Sequence, residues 1–171
     1  MRVVSIGIAL GVCGALATRA NTFRGFHPVL KDDSGLRSEV SAQELQILKL
    51  VNDERLRAGA PPLQFAPRLS LAARMHSADM AIHGYLGHDG PGGDTPADRA
   101  RRAGLSYQEL GENVYADDGI DLAGVPARTV RVWLASSAHR ANLLSPRFQV
   151  SAVGIGRSAQ GKFYITEDFI R

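Results

Sequence analysis

Cysteine is nearly missing from this chain of 171 residues, with Cys13 the only one. Cys13 falls in a leader-like N-terminal stretch, so the part that follows has no thiol and cannot be a disulfide framework. A surplus of one charge is equally scarce: the formal net charge is +3, and it drops to +1 when Arg2 and Arg19 are discarded with residues 1–20. So balanced a domain has little field to attract a polyanion, and no nucleic-acid partner is expected. The uncharged run from Val3 to Thr18 is shorter than the ~20 residues that span a bilayer, so no transmembrane segment is expected after leader removal. A G-x-S-x-G nucleophile elbow and internal repeats are also missing.

What is present begins with a secretory pattern. Arg2 supplies the early positive charge, an uncharged apolar core follows, and Ala15-Leu16-Ala17 and Thr18-Arg19-Ala20 offer small-x-small cleavage sites. Leu10-Gly11-Val12-Cys13 resembles a lipoprotein signal only in outline, since Val12 stands where a small residue belongs. Residues 1–20 are therefore expected to be a signal peptide of an exported bacterial protein, secreted, periplasmic or held at the cell envelope. Residues 21–40, with Gly25, Pro28, Asp32, Asp33 and Gly35 and no regular period, are expected to be a flexible lead-in, and 41–171 one folded domain. A hydrophobic content of 44% suffices for a core of that size.

Within the domain, Ser41-Ala42-Gln43-Glu44 has the form of a capping box opening a first helix that Gly59-Ala60-Pro61-Pro62 ends. A second helix is predicted over 67–82, with Leu71, Met75, Ala78 and Ile82 on one face and Gly84 as its stop. Gly87 to Asp94 is a loop, and Thr95-Pro96-Ala97-Asp98 caps a short basic helix closed by Gly104. A fourth helix is predicted over 126–135 with Val130, Trp133 and Leu134 inward. Strands are expected at 113–115, 150–155 and 163–169, the last two joined as a hairpin across Ser158-Ala159-Gln160-Gly161. Helices first and a hairpin last predict an α+β domain with helices packed over a small, mainly antiparallel sheet.

Three residues carry the chemistry that composition alone allows: His88, Glu112 and His139. Two imidazoles and a carboxylate suit proton sharing near neutral pH or a divalent cation, although none of their spacings is a metal motif. Ser136 and Ser137 beside His139 lack the oriented base and oxyanion donors that a nucleophilic serine requires. His76 and Asp79 read as a polar helix face, His83 as solvent-facing, and Arg99, Arg101 and Arg102 as a solvated helix face.

The order of motifs resembles a bacterial CAP domain, of the cysteine-rich secretory protein, antigen 5 and pathogenesis-related 1 family, also called the SCP-like extracellular domain. It is carried by Asn52-Asp53-Glu54-Arg55, Leu69-Ser70-Leu71-Ala72 and His76-Ser77-Ala78-Asp79-Met80-Ala81, then by Gly87-His88, Pro96-Ala97-Asp98-Arg99 and Gly111-Glu112-Asn113. Trp133-Leu134-Ala135-Ser136, His139-Arg140-Ala141-Asn142-Leu143-Leu144 and Val153-Gly154-Ile155-Gly156 complete it. The resemblance implies an α-β-α sandwich and a cleft lined by His88, Glu112, Ser136, His139 and Asn142. It also implies structural roles for Asn52 and Arg55, which would tie the first helix to neighbouring loops. Its two His and two Glu are matched here by His88, Glu112 and His139, while Ser136 stands where eukaryotic members have the second Glu. A hydroxyl is a poor ligand in place of a carboxylate, so a metal such as zinc on His88 and His139 is expected to bind weakly or not at all.

Two functions follow as expectations. One is a monomeric binding module whose cleft takes a lipid, peptide, glycan or protein without turnover. The other is a hydrolase of an envelope or extracellular substrate, in which His88, Glu112 and His139 are candidate catalytic residues acting as acid and base or through a divalent metal.

Overall fold

The computed structural model of the protein describes residues 34–119 and 121–171. The expected signal peptide and the first part of the lead-in lie outside the described residues. The described elements are α1 (Ser34–Arg57), β1 (Gln64–Phe65), α2 (Pro67–His83), α3 (Pro96–Arg102), β2 (Leu110–Asp117), α4 (Val125–Ala135), α5 (Ser137–Leu144), β3 (Val150–Arg157) and β4 (Phe163–Ile170). The two-residue β1 and the helix α5 have no counterpart in the sequence-based reading.

The sheet has the order β1-β3-β4-β2, with β4 antiparallel to both β3 and β2 and β1 added in parallel through two residues. Every residue of β4 is buried, because both of its faces are covered. Alternation sends Phe163, Ile165 and Phe169 into a core with Ile47, Val51, Trp133 and Leu143 of α1, α4 and α5. Tyr164 and Ile170 point the other way, packing with Met80 and Leu69 of α2 respectively. Helices on both faces of one sheet make an α-β-α sandwich, as expected.

The hairpin forms where its turn residues predict: Ser158 N donates to Lys162 O at 2.8 Å and Gly161 adopts φ +89°. Thr95 and Asp98 form the reciprocal capping box of α3. Asn52 Nδ2 donates to Leu63 O at 3.0 Å, and Arg55, fully buried, donates to the carbonyls of Pro61, Leu143, Ser145 and Phe148. A buried guanidinium is tolerated here because its fork of donors meets main-chain oxygens that would otherwise be unpaired.

Two helix readings need correction. On α2, Leu71, Met75 and Ile82 are 56%, 60% and 66% exposed, and the buried face is instead Leu69, Ala72, Ala73, His76, Ser77 and Met80. The reason is close approach: a Cβ at Gly154 would lie 2.6 Å from Ala73 O, and one at Gly156 would lie 2.5 Å from Ser77 C. Small side chains therefore face the sheet, and Ser77 Oγ donates to Gly154 O at 2.9 Å. On α1, Ser41 lies inside the helix, and Glu44 does not cap it. The Glu44 carboxylate accepts from Arg74 Nε at 2.8 Å and from Ile155 N at 3.0 Å, so it closes the part of the β3 edge that short β1 leaves uncovered.

Gly154→Ala should destabilise the domain by about 3 kcal/mol through overpacking against α2, read by chemical denaturation; a loss under 1 kcal/mol would contradict the contact. A second prediction concerns Glu167, fully buried, accepting from Ser151 Oγ at 2.9 Å and with Oε2 unpartnered among the described residues. Burial pushes its carboxyl from 4.5 up to about 8, so the folded protein keeps a proton that the unfolded chain releases. Its contribution to stability is whole below pH 4.5 and is lost as pH rises through about 8. Glu167→Gln should lose less stability than wild type between about pH 5 and pH 9 in urea titrations; equal losses would refute the linkage.

Candidate functional site

Glu112 sits on β2 opposite Asp168 of β4, and both side chains are buried. Two charged or polar groups converge on the Glu112 carboxylate. Arg99 of α3 donates from Nη2 to Oε2 at 2.6 Å, and His88 Nδ1 lies 2.8 Å from Oε1. Arg99 is itself buried and also donates from Nη1 to Asp94 O and from Nη2 to His88 O, both at 3.0 Å, which anchors the loop carrying His88, while its Nε meets no acceptor among the described residues. His76 of α2 stands behind: its Nε2 is 2.8 Å from Gly87 O and 3.9 Å from Glu112 Oε1. Burial holds the His76 imidazole below its ordinary pKa, favouring the neutral ring.

His139 approaches from α5, which lies against the outer edge of β2. Asn113 Nδ2 donates to His139 O at 3.1 Å, and Asn142 Nδ2 donates to Glu112 O at 3.2 Å and to Asn113 Oδ1 at 3.0 Å. These amides fasten α5 to β2 at the position of Glu112. The His139 ring is 5% exposed, and burial, then the nearby His88, push its pKa down. Among the described residues its buried Nδ1 has no hydrogen-bond partner. Ser136 is the N-cap of α5, its Oγ accepting from His139 N at 3.5 Å. That hydroxyl faces the His139 main chain.

The structure thus joins Glu112 to His88 directly, and fastens the helix carrying His139 to β2 at Glu112 and Asn113. Asn142 serves as the clamp between α5 and β2. Sequence reasoning missed three members. His76 was assigned to a polar helix face and Arg99 to a solvated one, yet they are 1% and 4% exposed. The third is Asp168, and two adjacent acids, Glu167 and Asp168, inside a mostly apolar strand are a legible anomaly.

The set does not fit a zinc ion. Both oxygens of Glu112 are engaged, one by a guanidinium whose charge opposes a cation. Among the described residues no three His, Cys, Asp or Glu side chains group as a metal-binding set. The chemistry of the cluster is that of hydrogen bonds and shared protons.

A sandwich of helices over a mixed sheet, with an imidazole and carboxylate cluster at one outer strand, defines the class. The family model for the cysteine-rich secretory protein family, CAP, matches residues 48–169, and the chain belongs to that family. Protein YkwD of Bacillus subtilis (strain 168) is 35% identical over 133 residues, which cover 78% of this chain and 49% of YkwD. An extracellular protein with an SCP domain from Bacillus anthracis is 34% identical, with a TM-score of 0.68 over 83% of this chain and 44% of that one. An outer surface protein of Borrelia burgdorferi shares the fold, with a TM-score of 0.68 at 16% identity over 77% of this chain and 94% of that chain. The chain spans about half the length of YkwD and of the Bacillus anthracis protein. Among the described residues no helix is long and apolar enough to cross a membrane.

Asn142→Ala should cost about 1–3 kcal/mol, because Glu112 O and Asn113 Oδ1 lose a buried donor. Ser136→Ala should cost about 1 kcal/mol, the worth of a helix cap. Thermal and urea unfolding read both, and a larger loss at Ser136 than at Asn142 would overturn these roles.

Proposed function

We propose that this CAP domain is an exported binding module whose cleft, lined by His88, Glu112, Ser136, His139 and Asn142, takes a ligand without turning it over. The observation that carries the reading is His139 Nδ1, a buried ring nitrogen with no partner among the described residues, beside the hydrogen-bonded set of His88, Glu112 and Arg99. An unpaired buried polar atom is costly, and a ligand hydroxyl or amide would satisfy it. The ligand class this favours is a peptide, glycan or lipid headgroup with a polar group at that point. Two features favour binding over hydrolysis: the Ser136 hydroxyl serves as a helix cap, and the cluster offers no activated nucleophile. The extracellular setting of the Bacillus anthracis relative supports export, and the match to the secretory leader pattern of residues 1–20 agrees.

The test is native mass spectrometry of the full chain exported from a bacterial host, with and without His139→Ala. A retained non-covalent molecule, lost in the variant while the melting temperature holds, is the expected result. Zinc by elemental analysis and hydrolysis of peptide, glycan and ester substrates form the other arm. Stoichiometric zinc, or turnover abolished by His88→Ala, would replace the binding reading with the hydrolase.

A further inference from the structure

Asp168 is a buried acid with a specific geometry. It faces Glu112 across the β2–β4 ladder and is 3% exposed, so the two buried carboxyl groups lie side by side on one face of the sheet. Among the described residues its Oδ1 meets no donor. Two carboxyl groups in contact cannot both be ionised at modest cost, so one of them holds a proton. The surroundings decide which. Glu112 has Arg99 Nη2 at 2.6 Å on Oε2 and His88 Nδ1 at 2.8 Å on Oε1, two contacts that favour the anion. Among the described residues no guanidinium or imidazole donates to Asp168, and burial followed by the nearby Glu112 raises its pKa well above the ordinary range.

We propose that Asp168 is a positioning residue: a protonated carboxyl that donates to Glu112 and so holds the Glu112 carboxylate in place to accept from His88 Nδ1–H. The ring of His88 is then fixed in one tautomer, with its proton on Nδ1 and its lone pair on Nε2. A chain of acid, carboxylate and imidazole runs from the middle of the sheet to the cleft, and it sets which hydrogen-bonding role His88 can play toward a ligand. This inference rests on the cleft reading above, but its test needs no ligand. A failure here therefore counts against Asp168 and leaves the binding reading standing.

The experiment is long-range 1H–15N correlation of the histidine side chains in the full chain at neutral pH, for wild type, Asp168→Asn and Asp168→Leu. Wild type should show His88 as the Nδ1–H tautomer alone. Asp168→Asn retains an N–H donor and should keep that signature, whereas Asp168→Leu should give a mixture of tautomers. An unchanged signature in Asp168→Leu, or its loss in Asp168→Asn, would overturn the proposal. Should Asp168→Leu not fold, infrared spectra of wild type and Asp168→Asn serve: a carboxylic-acid C=O band should vanish in the variant. A spectrum without such a change would show Asp168 ionised and end the proposal.

Discussion

One buried negative charge organises this domain. The Glu112 carboxylate lies between the sheet and α3, and a lone anion there would cost several kcal/mol. Arg99 neutralises it, His88 hydrogen-bonds to it, and Asp168 faces it across the ladder. Each partner comes from a different element, so the charge can be accommodated only when α3, the loop 84–95, β2 and β4 are all in place. The same contacts that compensate the charge also hold His88 in place. Stability and site are one arrangement.

The opposite face of β4 shows a related device. Glu167 points toward the core under α1, where the buried guanidinium of Arg55 influences its carboxyl, while Asp168 points toward α2 and α3 and Arg99. Adjacent acids on one strand thus address opposite layers of the sandwich, each with a buried arginine on its side. Arg55 differs from Arg99 in its partners: its hydrogen bonds go to carbonyls, which tie the end of α1 to the chain around α5 and β3.

Much of this was legible in the chain. The cap of α3, the turn before β4 and the inward Trp133 follow from local chemistry, while the ordered motifs gave the family and, through that resemblance, the tethering roles of Asn52 and Arg55. What local patterns hid were tertiary matters. Periodicity on α2 traced the outward stripe of Leu71, Met75 and Ile82, because the inward face was reduced to Ala73 and Ser77 to fit Gly154 and Gly156. Arg99 looked like its exposed neighbours Arg101 and Arg102, since burial of a charge is decided by a distant partner. Glu44 fitted a capping box by spacing, yet its carboxylate serves the edge of β3.

The most direct measurement of the central claim is a double-mutant cycle on Arg99→Met and Glu112→Gln by urea denaturation at neutral pH. The account predicts a coupling energy of about 2–3 kcal/mol, with each single variant strongly destabilised and the double variant recovering part of the loss. Additive losses, with coupling inside about 0.5 kcal/mol, would mean that the buried charge at Glu112 does not organise the site.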